Sequence, residues 1–199
     1  MGKNIVAHNY KLTFRERRKS NGHNSFLIFF SGLSGSGKST IANALEEKLF
    51  ADNIKTYVLD GDNMRKGINK GLSFSPEDRS ENIRRIGEIS KLFVDAGLVV
   101  LAAFVAPYAK DRELIKQTVG EENYFEVHVN TSLEVCEERD VKGLYAKARN
   151  GEIKDMTGIS APYEAPQNPN VIVTEKNSIE ESVEIIYNKI ENHLRLKNE

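Results

Sequence analysis

Residues Gly32-Leu33-Ser34-Gly35-Ser36-Gly37-Lys38-Ser39 spell G-x-x-x-x-G-K-[ST], set between an apolar run and a stretch with helical spacing. Strand, glycine-rich loop and helix, in that order, form the context in which this motif has a physical meaning. The glycines let the backbone curl so that successive N–H groups converge on an anion at the positive end of a helix. Lys38 then reaches the outer phosphates of a nucleoside triphosphate, and the Ser39 hydroxyl stands where a Mg²⁺ ligand is needed. Gly32 through Ser39, with Thr40 in the first helical turn, are the candidate ATP-binding residues, and ATP and Mg²⁺ are the implied cofactors.

The remainder of the chain agrees with that start. Runs rich in β-branched and aromatic residues lie at Phe26–Phe30, Thr56–Leu59, Leu98–Phe104, Tyr124–Val129 and Val171–Val173. Helical periodicity fills the intervals at about 38–51, 76–96, 109–119 and 132–140, and a last helix covers about 178–195. Near-continuous apolar strands alternating with helices predict an α/β fold of the P-loop NTPase type. Its sheet is parallel and doubly wound, of about five strands, flanked by helices. The 199 residues suffice for one domain with a sizeable core. We divide them into an N-terminal arm, 1–24, and a P-loop domain, 25–199. Residues 150–170, with Gly151, Gly158, Pro162, Pro166 and Pro169, are too long for a plain connection and read as part of a lid over about 140–170.

A formal net charge of −1 provides no field for nucleic acid or an acidic membrane. The basic cluster Lys11 to Lys19 reads as a solvated helix face or an arm on a partner subunit. One cysteine, Cys136, allows no internal disulfide; it reads as a small buried hydrophobe and points to a reducing compartment. Phe26–Phe30 is too short to span a bilayer, no leader pattern precedes it, and Val6 stands where a myristoylation motif needs a hydroxyl. The expectation is a cytoplasmic protein.

GTPases and motor-type ATPases with such a loop usually hold Mg²⁺ with an Asp at the end of a second apolar strand. The longest apolar strand, "LVVLAAFVAP", ends without one; the carboxylates follow "TYVL" instead, as Asp60-Gly61-Asp62. Alone such a triplet is a tight turn. At the carboxyl end of a strand in a doubly wound sheet it points into the ligand crevice. One acid near the metal and one near an acceptor hydroxyl suit a kinase, so Lys38, Asp60 and Asp62 are the candidate catalytic residues. Ser75-Pro76-Glu77-Asp78 then starts a helix whose buried face is marked by Ile83, Ile86, Ile89 and Phe93. Arg79 and Asn82 lie about 20° and about 40° from the Ile86 direction, polar groups on an inward face. They, with Arg65, are acceptor-site candidates, whereas Arg84 and Arg85 fall off that face and read as solvated. Phe74 suits the core or a stack on a base. Arg139, Lys142, Lys147 and Arg149 suit a solvated helix face or a lid that neutralises transferring charge.

The stretches "NGH" (Asn21–His23), "GLSGSGKST", "LDGDNMR", "FSPEDRSENIRRIGE", "KGLY" and "TGISAPYEAP" resemble the adenylylsulfate kinase family over residues 4–173. The resemblance implies Mg²⁺-dependent transfer of the ATP γ-phosphate to the 3′-hydroxyl of adenosine 5′-phosphosulfate, a homodimer, and a role in sulfate assimilation. It implies Asp62 beside the 3′-hydroxyl, and Asp60 with Ser39 at the metal. It places Arg65, Arg79 and Asn82 on the phosphosulfate side of the nucleotide acceptor, Phe74 on its base and Lys142 at the lid. Departures from the family pattern gather on the acceptor side. Ala106-Pro107-Tyr108-Ala109 replaces the usual Ser-Pro-Tyr-Arg, Val141 a proline, Ala146 a lysine, and Met156 the second aromatic flanking the adenine. Without a serine at 106, transfer is direct. The alternatives are a 3′-kinase for another 5′-activated nucleotide, such as a cytidine diphosphate derivative, and a nucleotide-binding regulator without transfer.

Overall fold

The computed structural model describes residue 8 and residues 10–196; Gly2, Val6 and the first part of the arm lie outside them. The strands are β1 (Leu27–Ser31), β2 (Thr56–Asp60), β3 (Val99–Ala103), β4 (Tyr124–Val129) and β5 (Val171–Val173). All pair in parallel, in the order β2-β3-β1-β4-β5. The helices are α1 (Phe14–Asn21), α2 (Lys38–Ala51), α3 (Gly61–Lys66), α4 (Pro76–Asp95), α5 (Ala109–Val119), α6 (Leu133–Arg139), α7 (Leu144–Arg149) and α8 (Ile179–Leu194). Among the described residues, no helix is long and apolar enough to cross a membrane.

Every side chain of β1 and β3 is buried, as continuous apolar runs require of strands covered on both faces. On one face Ile41, Ala42, Leu45 and Leu49 of α2 meet Val183, Ile186 and Ile190 of α8 over Ile28, Phe30 and Leu101. On the other, Ile83, Ile86 and Val94 of α4 and Ile115 of α5 cover Leu27, Phe29, Val100 and Ala102. The sheet thus reverses its winding beside β1, and the crevice beyond the carboxyl ends of β1, β2 and β3 opens at that switch point.

Local signals set the element ends. Ser75 caps α4 by accepting from Asp78 N, with Pro76 following, and Ser178 and Glu181 form a capping box on α8. α5 has no cap of its own: the Glu164 carboxylate, from the segment beyond α7, accepts from Ala109 N at 2.7 Å. The "NGH" stretch proves architectural. Asn21 Nδ2 donates to Gly97 O at 2.9 Å, and the buried His23 accepts from Lys55 N at 2.9 Å, joining the strand starts. α1 itself docks on its own chain, where Arg18 donates to Ser25 O and Asn123 Oδ1.

Candidate active site

The phosphate loop follows β1. Gly32 has φ 149°, and a Cβ there would meet Val129 O at 2.5 Å, so only glycine lets the loop pass this close to β4. Three groups pull the loop's carbonyls outward. Tyr145 OH donates to Ser34 O at 2.8 Å, Thr131 Oγ1 to Ser36 O at 2.9 Å, and Arg139 Nη1 to Gly35 O at 3.3 Å. Carbonyls turned away leave a cradle whose polarity suits an anion. Lys38, buried, donates to Leu33 O at 2.6 Å and to Ser36 Oγ at 3.3 Å. That burial pushes its pKa down to about 8.

Asp60 ends β2 and works with both of its oxygens. Oδ2 accepts from Ser39 Oγ at 2.7 Å; Oδ1 caps α3, accepting from Asp62 N at 3.0 Å and Asn63 N at 3.3 Å. A hydroxyl and a carboxylate oxygen in contact are hard donors of the kind Mg²⁺ takes, so the residues fit that ion. Asp62, exposed on the first turn of α3, pairs with Lys142 from the loop between α6 and α7.

A cavity of about 600 Å³ runs from this loop past Asp60 and Asp62 to the start of α4, where Arg65, Phe74, Arg79 and Asn82 line it. Arg65 and Arg79 lie over the Phe74 ring at 4.3 and 5.6 Å, and Phe74 itself is 58% exposed, which leaves ring surface open to a ligand. Among the described residues Arg79 has no carboxylate partner: it donates to Phe74 O, Thr157 Oγ1 and Asp155 O, at 2.8, 3.0 and 2.8 Å. Met156 is 7% exposed, on the cavity wall, packed with Cys136 and Tyr145 beneath Leu33 and Leu133. Val105, Ala106 and Pro107 form the wall above β3, with Ala106 held at φ 42° and its carbonyl accepting from Arg112 at 2.7 Å.

The description of residues 24–174 as adenylylsulphate kinase, by a family model matching that whole span, agrees with this arrangement. The chain belongs to the adenylylsulphate kinase family. It is 54% identical to the adenylyl-sulfate kinase of Staphylococcus epidermidis over 95% of this chain and 96% of that one. It is likewise 54% identical to the adenylyl-sulfate kinase of Lactiplantibacillus plantarum, over 96% and 92% of the two chains. Among solved structures, the Mycobacterium tuberculosis APS kinase in complex with AMPPNP and APS superposes with a TM-score of 0.82. Identity there is 44%, over 84% of this chain and 98% of that chain.

Every site residue named from the sequence borders this one cavity except Gly32, Leu33 and Ser36, which shape the loop behind it. Among the basic residues near the lid, Arg139 binds the phosphate loop, while Arg149 pairs with Glu137 and Lys147 is exposed. Arg85 corrects the reading of a solvated side chain. It donates to Ile68 O at 3.0 Å as well as to Glu81, because the loop after α3 folds back along α4. Sequence reasoning missed Asn69, Thr131, Tyr145, Thr157 and Arg112; only Tyr145, inside "KGLY", and Thr157, opening "TGISAPYEAP", carried any local signal. A larger groove of about 900 Å³ lies between α5 and residues 164–170, away from the phosphate loop. Its Arg112 and Lys116 are paired with Glu126 and Glu121.

Proposed function

We propose that this chain transfers the γ-phosphate of ATP to the 3′-hydroxyl of adenosine 5′-phosphosulfate, releasing ADP and the 3′-phosphorylated nucleotide. The supporting observation is that one cavity holds a complete phosphate loop at one end, a cationic and aromatic acceptor wall at the other, and two carboxylates between. In this reading Lys38 and the loop N–H groups hold the β- and γ-phosphates. Ser39 and Asp60 would hold Mg²⁺, which when bound would supply neutralisation of phosphate charge. Asp62 orients the attacking hydroxyl and takes its proton as the new P–O bond forms and the β–γ bridge breaks. Arg65, Arg79 and Asn82 bind the anionic 5′ side, Phe74 stacks on the base with Met156 across the cavity, and Lys142 brings lid charge to the reacting groups. Ala106 has no hydroxyl to carry a phosphoryl group, so transfer is direct.

The same reading divides the chain into an arm, 1–24, and a kinase domain, 25–199, with its lid over about 140–170. It includes a homodimer, which rests on family likeness, and a cytoplasmic setting, which rests on the single unpaired Cys136.

The test measures ADP release with ATP and Mg²⁺ against adenosine 5′-phosphosulfate and against cytidine-, uridine- and guanosine-based 5′-diphosphate analogues, with products weighed by mass spectrometry. The expected product is heavier by one phosphoryl group and loses it to a 3′-phosphatase. ADP release indifferent to every acceptor would sink the transfer reading; a preferred pyrimidine nucleotide would sink the choice of acceptor.

A further inference from the structure

Asn82 sits on the first inward turn of α4, buried, on the acceptor wall of the cavity. An asparagine amide has two ends of opposite polarity, and whichever one is held from behind decides which one meets a ligand. Asn69 is not part of the cavity wall and is only 1% exposed, yet its Nδ2 donates to Asn82 Oδ1 at 2.9 Å. The Asn69 backbone is held in place by its own loop, while among the described residues its buried Oδ1 has no partner and its Nδ2 bonds only Asn82. The Asn69 N–H donates to Met64 O at 3.0 Å, and its carbonyl accepts from Leu72 N at 3.2 Å. Arg85 and Arg65 fasten the same loop through Ile68 O and Leu72 O.

We infer that Asn69 is a positioning residue: by occupying the Asn82 oxygen it sets the polarity of that amide, so that a hydrogen-bond donor faces the acceptor nucleotide. The inference rests on the acceptor-site reading above. The neighbouring wall favours the same polarity, because Arg65 and Arg79 present only donors and positive charge. A ligand held there offers oxyanion or lone-pair atoms to Asn82, and a donor group placed at that position is rejected.

The full-length protein tests this through steady-state kinetics with adenosine 5′-phosphosulfate and ATP. Asn69→Ala frees the Asn82 amide to rotate, and the acceptor KM rises about 3- to 10-fold, the scale of one neutral hydrogen bond, with the KM for ATP unchanged. Asn69→Asp keeps the shape but, ionised, can only accept. Asn82 must then turn its Nδ2 backwards and show oxygen to the anionic ligand, which raises the acceptor KM by about 10²-fold. That penalty shrinks at low pH, where a protonated carboxyl donates again, and this pH dependence is absent from the wild type; a purely structural defect would not produce it. An Asn69→Asp protein with wild-type acceptor KM would mean the opposite polarity and overturn the inference, as would an Asn69→Ala protein with unchanged acceptor KM. If Asn69→Asp folds poorly, the Asn69→Ala arm still decides. Asn82→Ala is the control: if it leaves the acceptor KM unchanged, the acceptor-site reading itself fails, whatever Asn69 does.

Discussion

Burial holds Lys38 at a pKa of about 8 against an ordinary value of 10.5, because the ammonium is taken out of water before any phosphate compensates it. Between those two values the unfolded chain binds more protons than the folded one, so this residue makes stability rise with pH from about 8 to 10.5. Below pH 8 a charged, buried Lys38 is a full burden on the ligand-free fold. Lys38→Met should therefore melt above the wild type at pH 7, with the gap closing as pH climbs through that window. Its transfer rate should fall by orders of magnitude. Calorimetry across pH on the ligand-free proteins checks the first part. A gap independent of pH, or near-normal turnover in the folded variant, would contradict this account of the loop. Asp62 differs in kind: its carboxylate is exposed and, among the described residues, bonded only to Lys142. Asp62→Asn should leave ATP affinity and melting unchanged while cutting turnover about 10²- to 10⁴-fold, the usual contribution of a positioned base. A loss smaller than about fivefold would move the role to Asp60.

Asp60 shows how one side chain serves an element and a site at once: one oxygen caps α3 and the other meets Ser39. Asp60→Asn retains an oxygen for the two backbone donors but loses the second accepting oxygen, so melting should hold while the Mg²⁺ concentration for half-maximal rate rises. Asp60→Ala should lose both, costing about 1 kcal/mol of stability for the missing cap. Equal melting of the two variants would show that the cap contributes nothing. The same residue explains why α3 was hidden in the sequence. Six residues show no periodicity, and "DGD" is a turn signal until a carboxylate curls back on the following N–H groups. The strands and helices α2, α4, α5, α6 and α8 were legible because burial on both faces of the sheet writes itself as unbroken apolar runs, and capping residues such as Ser75 and Ser178 mark helix starts. Lys38, Ser39 and the glycines were legible because the phosphate loop is local. Asn69, Thr131 and Thr157 were not, since each acts on a residue far along the chain and takes its meaning from loops that only tertiary packing brings together.

At the scale of the whole molecule, the cavity lies between two sides: the phosphate loop with α3 and α4, and the segment we propose as the lid, which packs Met156 and Tyr145 against Leu33. The Lys142–Asp62 pair and Arg79 of α4 join them across the cavity, in addition to Tyr145 on the Ser34 carbonyl. The first is an exposed ion pair, worth at most about 1 kcal/mol, and on the proposed mechanism it must yield for Asp62 to receive a hydroxyl. Arg79 is the stronger link. It reaches Asp155 O and Thr157 Oγ1 in the lid while its guanidinium lies over Phe74, so it fixes lid position and acceptor stacking together. A lysine keeps the charge but has no planar fork to meet two lid oxygens and a ring at once. Arg79→Lys should raise the acceptor KM about tenfold or more, with the KM for ATP little changed. It should also increase proteolytic cleavage within 150–160, because the lid loses its anchor on α4. Bound acceptor should restore protection in the wild type more than in the variant, since only the wild type couples the stack to the lid. If Arg79→Lys changed the acceptor KM without altering lid cleavage, Arg79 would be a ligand contact alone, and lid and acceptor wall would have to be treated as separate units.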